Sequence, residues 1–202
     1  MKTKSSHLGV VLFVLLMAEV ALILLSWILS AAGVEGVRSL LSGEGVRWFV
    51  GDFARTMASP LLVWLILLMI AVGAFLRSGL TSLLHEGDSR RVSYRDRTAF
   101  RVALVLLVAY IAAILLLTVV PHAVLLSASG SLFPSPFSRS IIPFVTFGIT
   151  LVSIAFGFVS GRMQSLSDVL EALSYGIQKY ASLLILYIFC IQLYQSLRFV
   201  FM

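Results

Sequence analysis

At 202 residues, 60% of them hydrophobic and 12% charged, the chain is far more apolar than a soluble domain, where roughly a quarter of residues are charged. So short a chain cannot fold that much apolar surface inside itself, whereas a bilayer accepts it. The net charge of +6 does not point to nucleic acid: Lys and Arg sit in short loops beside apolar runs, the pattern of membrane orientation rather than of a phosphate-tracking groove.

A helix crossing the hydrocarbon core needs about 20 mostly apolar residues. Five stretches meet this, at 8–32, 60–76, 102–120, 141–159 and 180–197. They predict an all-α membrane protein, a polytopic bundle of about five transmembrane helices forming a single membrane domain over 1–202.

The first stretch holds Glu19, the one ionisable residue deep inside an apolar run. A charge at mid-bilayer costs about 2.5–3.5 kcal/mol on insertion scales, so Glu19 is either a proton or cation site or a neutral acid bonded to a neighbouring helix. No second intramembrane carboxylate offers a relay, so packing is the expectation. Met1–His7 resembles the basic start of a signal peptide and Ser30-Ala31-Ala32 a cleavage site, but the apolar run outlasts the roughly 7–15 residues of such a signal and reads as a span.

Over Gly43–Ala58, Val46, Phe49, Val50 and Phe53 recur at helical spacing, with Trp48 suited to the headgroup layer, which predicts an interfacial helix or connector. Pro60 opens the second span, where its missing N–H has no partner to lose. The polar stretch 78–98 carries Arg90-Arg91 and Arg95-Asp96-Arg97 and reads as a cytoplasmic loop. Pro121 is placed to stop the third span, and Ser127–Ser138, with Pro134 and Pro136, reads as an external loop. Pro143 is expected in the first turn of the fourth span.

Gly157 and Gly161 form a GxxxG at the end of that span, one turn after Ser153, and are expected to let backbones approach. In Met163–Lys179, Leu166, Val169, Leu170, Leu173 and Ile177 form an apolar stripe, and Asp168 with Glu171 has capping-box spacing, Asp168 in the cap position. The fifth span carries Tyr187, Gln192, Tyr194 and Gln195. Gln192 and Gln195 share a face, and interhelical hydrogen bonds, worth about 0.6–2 kcal/mol each, are expected of them rather than a polar path.

Of the fifteen Lys and Arg, ten fall before span one, between spans two and three, or between spans four and five; five, namely Arg38, Arg47, Arg55, Arg139 and Arg198, fall on the other side. The positive-inside rule then puts the amino terminus inside and the carboxyl terminus outside. Cys190 is the one cysteine, so there is no disulfide framework. His7, His85 and His122 lack metal-ligand spacing. No GxSxG, HExxH or phosphate-cradling glycine loop occurs, so no catalytic residue, metal or cofactor is expected, and the protein is not read as an enzyme.

Two blocks carry a family likeness. The first runs from Leu40-Leu41-Ser42-Gly43-Glu44-Gly45-Val46-Arg47-Trp48 into Pro60–Leu80, with Gly73 and Arg77-Ser78-Gly79-Leu80. The second runs from Ser135-Pro136-Phe137 through Ile142-Pro143 and Gly157-Phe158-Val159-Ser160-Gly161 to Ser167-Asp168-Val169, ending near Gln192. In order and spacing they resemble the p-aminobenzoyl-glutamate transporter (AbgT) family. The resemblance implies a dimeric, elevator-type carrier in which scaffold helices hold a transport unit built on two re-entrant hairpins. The stretches where those hairpins belong, after Leu80 and after Gln192, read here as an Arg-rich loop and as the chain end, so no substrate or sodium ligand carries over. The expectation is a transporter-family protein keeping the scaffold alone, in a bacterial inner membrane. It would work as a homo-oligomer, a dimer, or with a separate transport subunit, in contact with the lipid bilayer and not with nucleic acid. The alternative is a non-transporting anchor or regulatory subunit. Glu19, Gly157, Gly161 and Gln192 are the residues assigned to packing, and no substrate-binding residue is assigned.

Overall fold

The structure, a computed structural model, describes residues 2–81, 94–119 and 136–202. They form α1 (Lys2–Ala31), α2 (Gly43–Gly51), α3 (Phe53–Met57), α4 (Pro60–Ser78), α5 (Tyr94–Val119), α6 (Pro136–Ser160) and α7 (Leu166–Phe201). Among the described residues, five helical segments are long and apolar enough to cross a membrane: His7–Ala31, Pro60–Ser78, Tyr94–Thr118, Ser140–Ser160 and Leu166–Phe201. Few of their residues are buried within the protein, as they should be where the surrounding solvent is lipid. The protein is therefore an all-α polytopic membrane protein.

Several helix limits differ from those read in the sequence. α5 begins at Tyr94, so Arg95, Arg97 and Arg101 lie on helical turns that extend the span rather than in a loop. Charge marks where the hydrocarbon ends, not where the helix ends. Pro143 lies inside α6, which opens at Pro136 instead. The bond its missing N–H forgoes is to the carbonyl of residue 139, in the first turn of α6, so the proline costs the helix one bond near its start and leaves the rest of the span intact. The Gly43–Ala58 segment is two helices broken at Asp52. The stripe beginning at Leu166 and the fifth span are continuous in α7 except at Tyr180, whose φ of −114° and ψ of 15° leave the helical region. His85, Arg90, Arg91, His122, Pro121 and the Ser127–Ser135 part of the expected external loop lie outside the described residues.

The chain divides into two compact units. The first comprises residues 1–63 and 181–202. α1 closes with a left-handed Gly33, Val34 N–H donating to Leu29 O and Gly33 N–H to Ser30 O at 3.2 Å each. That paired closure satisfies the last carbonyls of the helix. The connector then turns back, and Arg38 N–H donates to Val200 O at 2.9 Å. Ser26, fully buried, donates to Ile23 O and accepts from Leu40 N–H at 3.1 Å, which fixes the connector to α1. Leu22, Leu40 and Val200 form the core, with Trp48 stacked on Phe199 at 4.6 Å between ring centres. Ser42 caps α2 by accepting from Gly45 N–H at 3.0 Å.

The second unit is Trp64–Tyr180. α5 packs along α6, and Leu80, Ala99, Ala103 and Phe156 form its core. α6 closes as α1 does: Arg162 N–H donates to Gly157 O at 2.9 Å and Gly161 N–H to Phe158 O at 3.0 Å, with Gly161 left-handed at φ +79°. α7 then opens on a capping box. Ser165 Oγ accepts from Asp168 N–H at 3.2 Å while Asp168 Oδ2 accepts from Ser165 N–H at 2.9 Å, so Ser165 is the cap and Asp168 its partner three residues on. This corrects the assignment of Asp168 to the cap.

Candidate functional site

Buried polar side chains of the first unit gather between α1 and the later part of α7. Glu19 Oε1 accepts from Ser196 Oγ at 2.6 Å, and Ser196 is fully buried. Gln192 lies one turn before Ser196, on the same side of α7, and is only 7% exposed. Glu19 Oε2 and Gln192 Oε1 have no hydrogen-bond partner among the described residues. Further along, Tyr187 ties α7 to the end of α3: its hydroxyl donates to Met57 O at 3.0 Å and lies 2.6 Å from Ser59 Oγ. Tyr194 is exposed, and Gln195 borders an open polar recess with Arg55, Arg198 and Trp48.

In the second unit the closest approach is between α4 and the early part of α7. A Cβ on Gly73 would meet Gly176 N at 2.5 Å and Ala172 O at 2.6 Å, and one on Gly176 would overlap the Met69 carbonyl. Only glycine permits this crossing, because on both sides the obstacle is backbone. Next to it, Arg77 pairs with Glu171 and lies 5.5 Å from the Tyr175 ring centre, with Lys179 against the same ring at 5.5 Å. Arg162 pairs with Asp96 at 3.9 Å, lies over the Phe156 ring and covers the left-handed Gly79. Ser78, fully buried, donates to Phe75 O at 2.9 Å and accepts from Leu80 N–H at 3.3 Å, which turns the chain so that Leu80 enters the core. The Arg77-Ser78-Gly79-Leu80 motif is thus a helix end with a buried anchor.

The residues singled out in the sequence divide between the two units. Glu19 and Gln192 belong to the first unit, Gly157 and Gly161 to the second. Gly161 lies past the end of α6, so the two glycines do not form one helical face; Gly157 faces Met163, whose Sδ would be 2.7 Å from an added Cβ. Sequence reasoning passed over the pair that does cross closely, Gly73 with Gly176. The available signal was Ala172 and Gly176 at the small-xxx-small spacing in an otherwise bulky stripe. Among the described residues no three His, Cys, Asp or Glu side chains converge as they would around a metal ion.

Searches of curated proteins and of solved structures gave no match. A family model, that of the AbgT putative transporter family, matches residues 84–200. The matched stretch carries α5, α6 and α7, and it includes the second of the two resembling blocks while beginning just after the first. That family is one of transporters, not of enzymes. With more than half its length matched, and with five helices of membrane-spanning length, the chain belongs to the AbgT putative transporter family.

Proposed function

We propose that this chain serves as the helical scaffold of an AbgT-type carrier of p-aminobenzoyl-glutamate or related compounds, and that the substrate-holding hairpins are supplied from outside residues 1–202. The observation that carries this reading is the family match on α5–α7 together with the form of those helices. Mid-membrane transport sites are usually built from discontinuous helices whose exposed backbone ends coordinate ions. Here α5 and α6 run without a non-helical residue between their ends, and the break at Tyr180 leaves a full apolar stretch, Ala181–Phe201, beyond it. The scaffold works as a homodimer or beside a separate transport subunit, in a bacterial inner membrane with its amino terminus inside. Basic residues concentrated beside spans two, three and five support that orientation.

The test is reconstitution of the purified chain in liposomes under imposed sodium and proton gradients, following labelled p-aminobenzoyl-glutamate. The chain alone is expected to move none above empty liposomes. Gradient-driven flux by the chain alone would overturn the scaffold reading. Co-purification of the chain with a membrane complex unrelated to transport would replace that reading with an anchoring role.

A further inference from the structure

The first unit carries an open polar recess of about 410 Å³ where α7 ends. Arg55 and Thr56 of α3 line it with Gln195 and Arg198 of α7, beside Trp48 stacked on Phe199. Its polar groups are unequally spent. Thr56 has given its hydroxyl proton to Phe53 O at 2.8 Å, and Arg55 shares its charge with Asp52 at 3.6 Å. Arg198 and Gln195 differ: among the described residues neither side chain has an ion pair or a hydrogen bond. They are three residues apart and share a face of α7. A guanidinium offers donors alone, and a side-chain amide offers two. What the recess leaves unanswered is positive charge and N–H groups, and their complement is an oxyanion.

The place of the recess says which oxyanion is at hand. Arg198 lies in the last turn of a helix of membrane-spanning length. The connector that follows α1 meets α7 at the same level, where Arg38 N–H donates to Val200 O at 2.9 Å. Span ends are where side chains of this kind carry their charge up to the layer of lipid phosphates. α2, which borders the recess through Trp48, turns Val46 and Val50 outward, one turn apart and 50% and 73% exposed. A short helix with such an apolar face beside charged groups beds in the headgroup layer. The recess thus combines unspent donors with a position among phosphodiesters.

We propose that this recess holds the phosphate of an anionic phospholipid, with Arg198 and Arg55 on the phosphate oxygens and Gln195 donating beside them. A zwitterionic head would bring its ammonium group against two guanidiniums, so a lipid with an uncharged alcohol on its phosphate fits better. A free phosphate ester has the same head without the chains and is the rival occupant. The inference does not rest on the scaffold reading, because a lipid held at a span end requires neither transport nor hairpins.

Native mass spectrometry of the full chain released from uncharged detergent micelles tests it, with dioleoyl phosphatidylglycerol as the probe. The chain is expected to retain this lipid saturably and not to retain dioleoylglycerol, which has the same chains without the phosphate. Glycerol phosphate in excess is expected not to displace the lipid. Arg198→Gln is expected to weaken retention about fivefold, the scale of one basic residue at a lipid surface, and Arg198→Lys, which keeps the charge, to weaken it less. Arg47→Gln, at an exposed arginine of α2 outside the recess, is expected to leave it unchanged. Arg198 has no side-chain partner to lose, and an unaltered elution profile checks that its variants still fold. Equal losses from Arg47→Gln and Arg198→Gln would mean a diffuse basic surface and overturn the proposal. Equal retention of dioleoylglycerol, or displacement of the lipid by glycerol phosphate, would overturn it as well.

Discussion

A carboxyl group within an apolar span persists only while a neighbour shares a hydrogen bond with it. Glu19 has such a neighbour in Ser196, 2.6 Å away. Glu19→Gln keeps a carbonyl oxygen that can accept from Ser196 Oγ, in a side chain of the same size. Its effect on stability is therefore expected to stay within about 1 kcal/mol. Glu19→Leu removes the acceptor from a fully buried serine and is expected to cost more. Equilibrium unfolding in mixed detergent reads both; loss of folded protein with the Gln variant would show that the carboxyl does more than hold two helices. The glycines separate in the same way. Gly73→Ala and Gly176→Ala force backbone against backbone and are expected to cost about 1–3 kcal/mol each, as overpacking does. Gly157→Ala meets only the end of the Met163 side chain, which can turn aside, and is expected to cost less. Equal losses at Gly157 and Gly176 would contradict this account of the crossing. The sequence shows glycines at all these positions but not which of them faces a backbone. Gly157 and Gly161 have the more familiar spacing, yet Gly161 is consumed in ending α6.

Among the elements, apolar runs made the spans legible, because hydropathy reports directly on what lipid accepts. Their ends were less so. Arg95, Arg97 and Arg101 look like loop residues, yet a helix continues through them, since a helix leaving the hydrocarbon satisfies its own backbone in water as well as in lipid. The start of α7 was ambiguous for another reason. Ser165 with Asp168 and Asp168 with Glu171 both have capping-box spacing, and the choice falls to where the closure at Gly161 and Arg162 releases the chain. Ser165→Ala removes the acceptor for Asp168 N–H and is expected to destabilise the first turn of α7 by about 1 kcal/mol. Faster amide exchange confined to residues 165–169 would show it, whereas unchanged exchange there would mean the cap is not used. That the buried Ser153 hydroxyl has no partner among the described residues was not legible at all, because a serine in a span is ordinarily self-satisfied and only the fold reveals one that is not.

For the molecule as a whole, the apolar composition is that of a membrane protein rather than a soluble one, and the family is shown over residues 84–200, which hold the second block and its helix closure at Gly161. Span count and sidedness together make a demand that no local feature does: an odd number of crossings puts the two ends on opposite sides of the membrane. The scaffold reading also calls for a dimer, and light scattering in mild detergent is expected to give twice the mass of the 22.1 kDa chain; a monomer would remove that part of the proposal. The most direct measurement of the five-span scaffold itself is a pair of terminal reporters in bacterial cells. A fluorescent protein fused before Met1 is expected to glow in the cytoplasm, and alkaline phosphatase fused after Met202 is expected to be active in the periplasm. A phosphatase that is inactive at the carboxyl end while the amino-terminal reporter stays fluorescent would put both ends on one side and contradict five crossings.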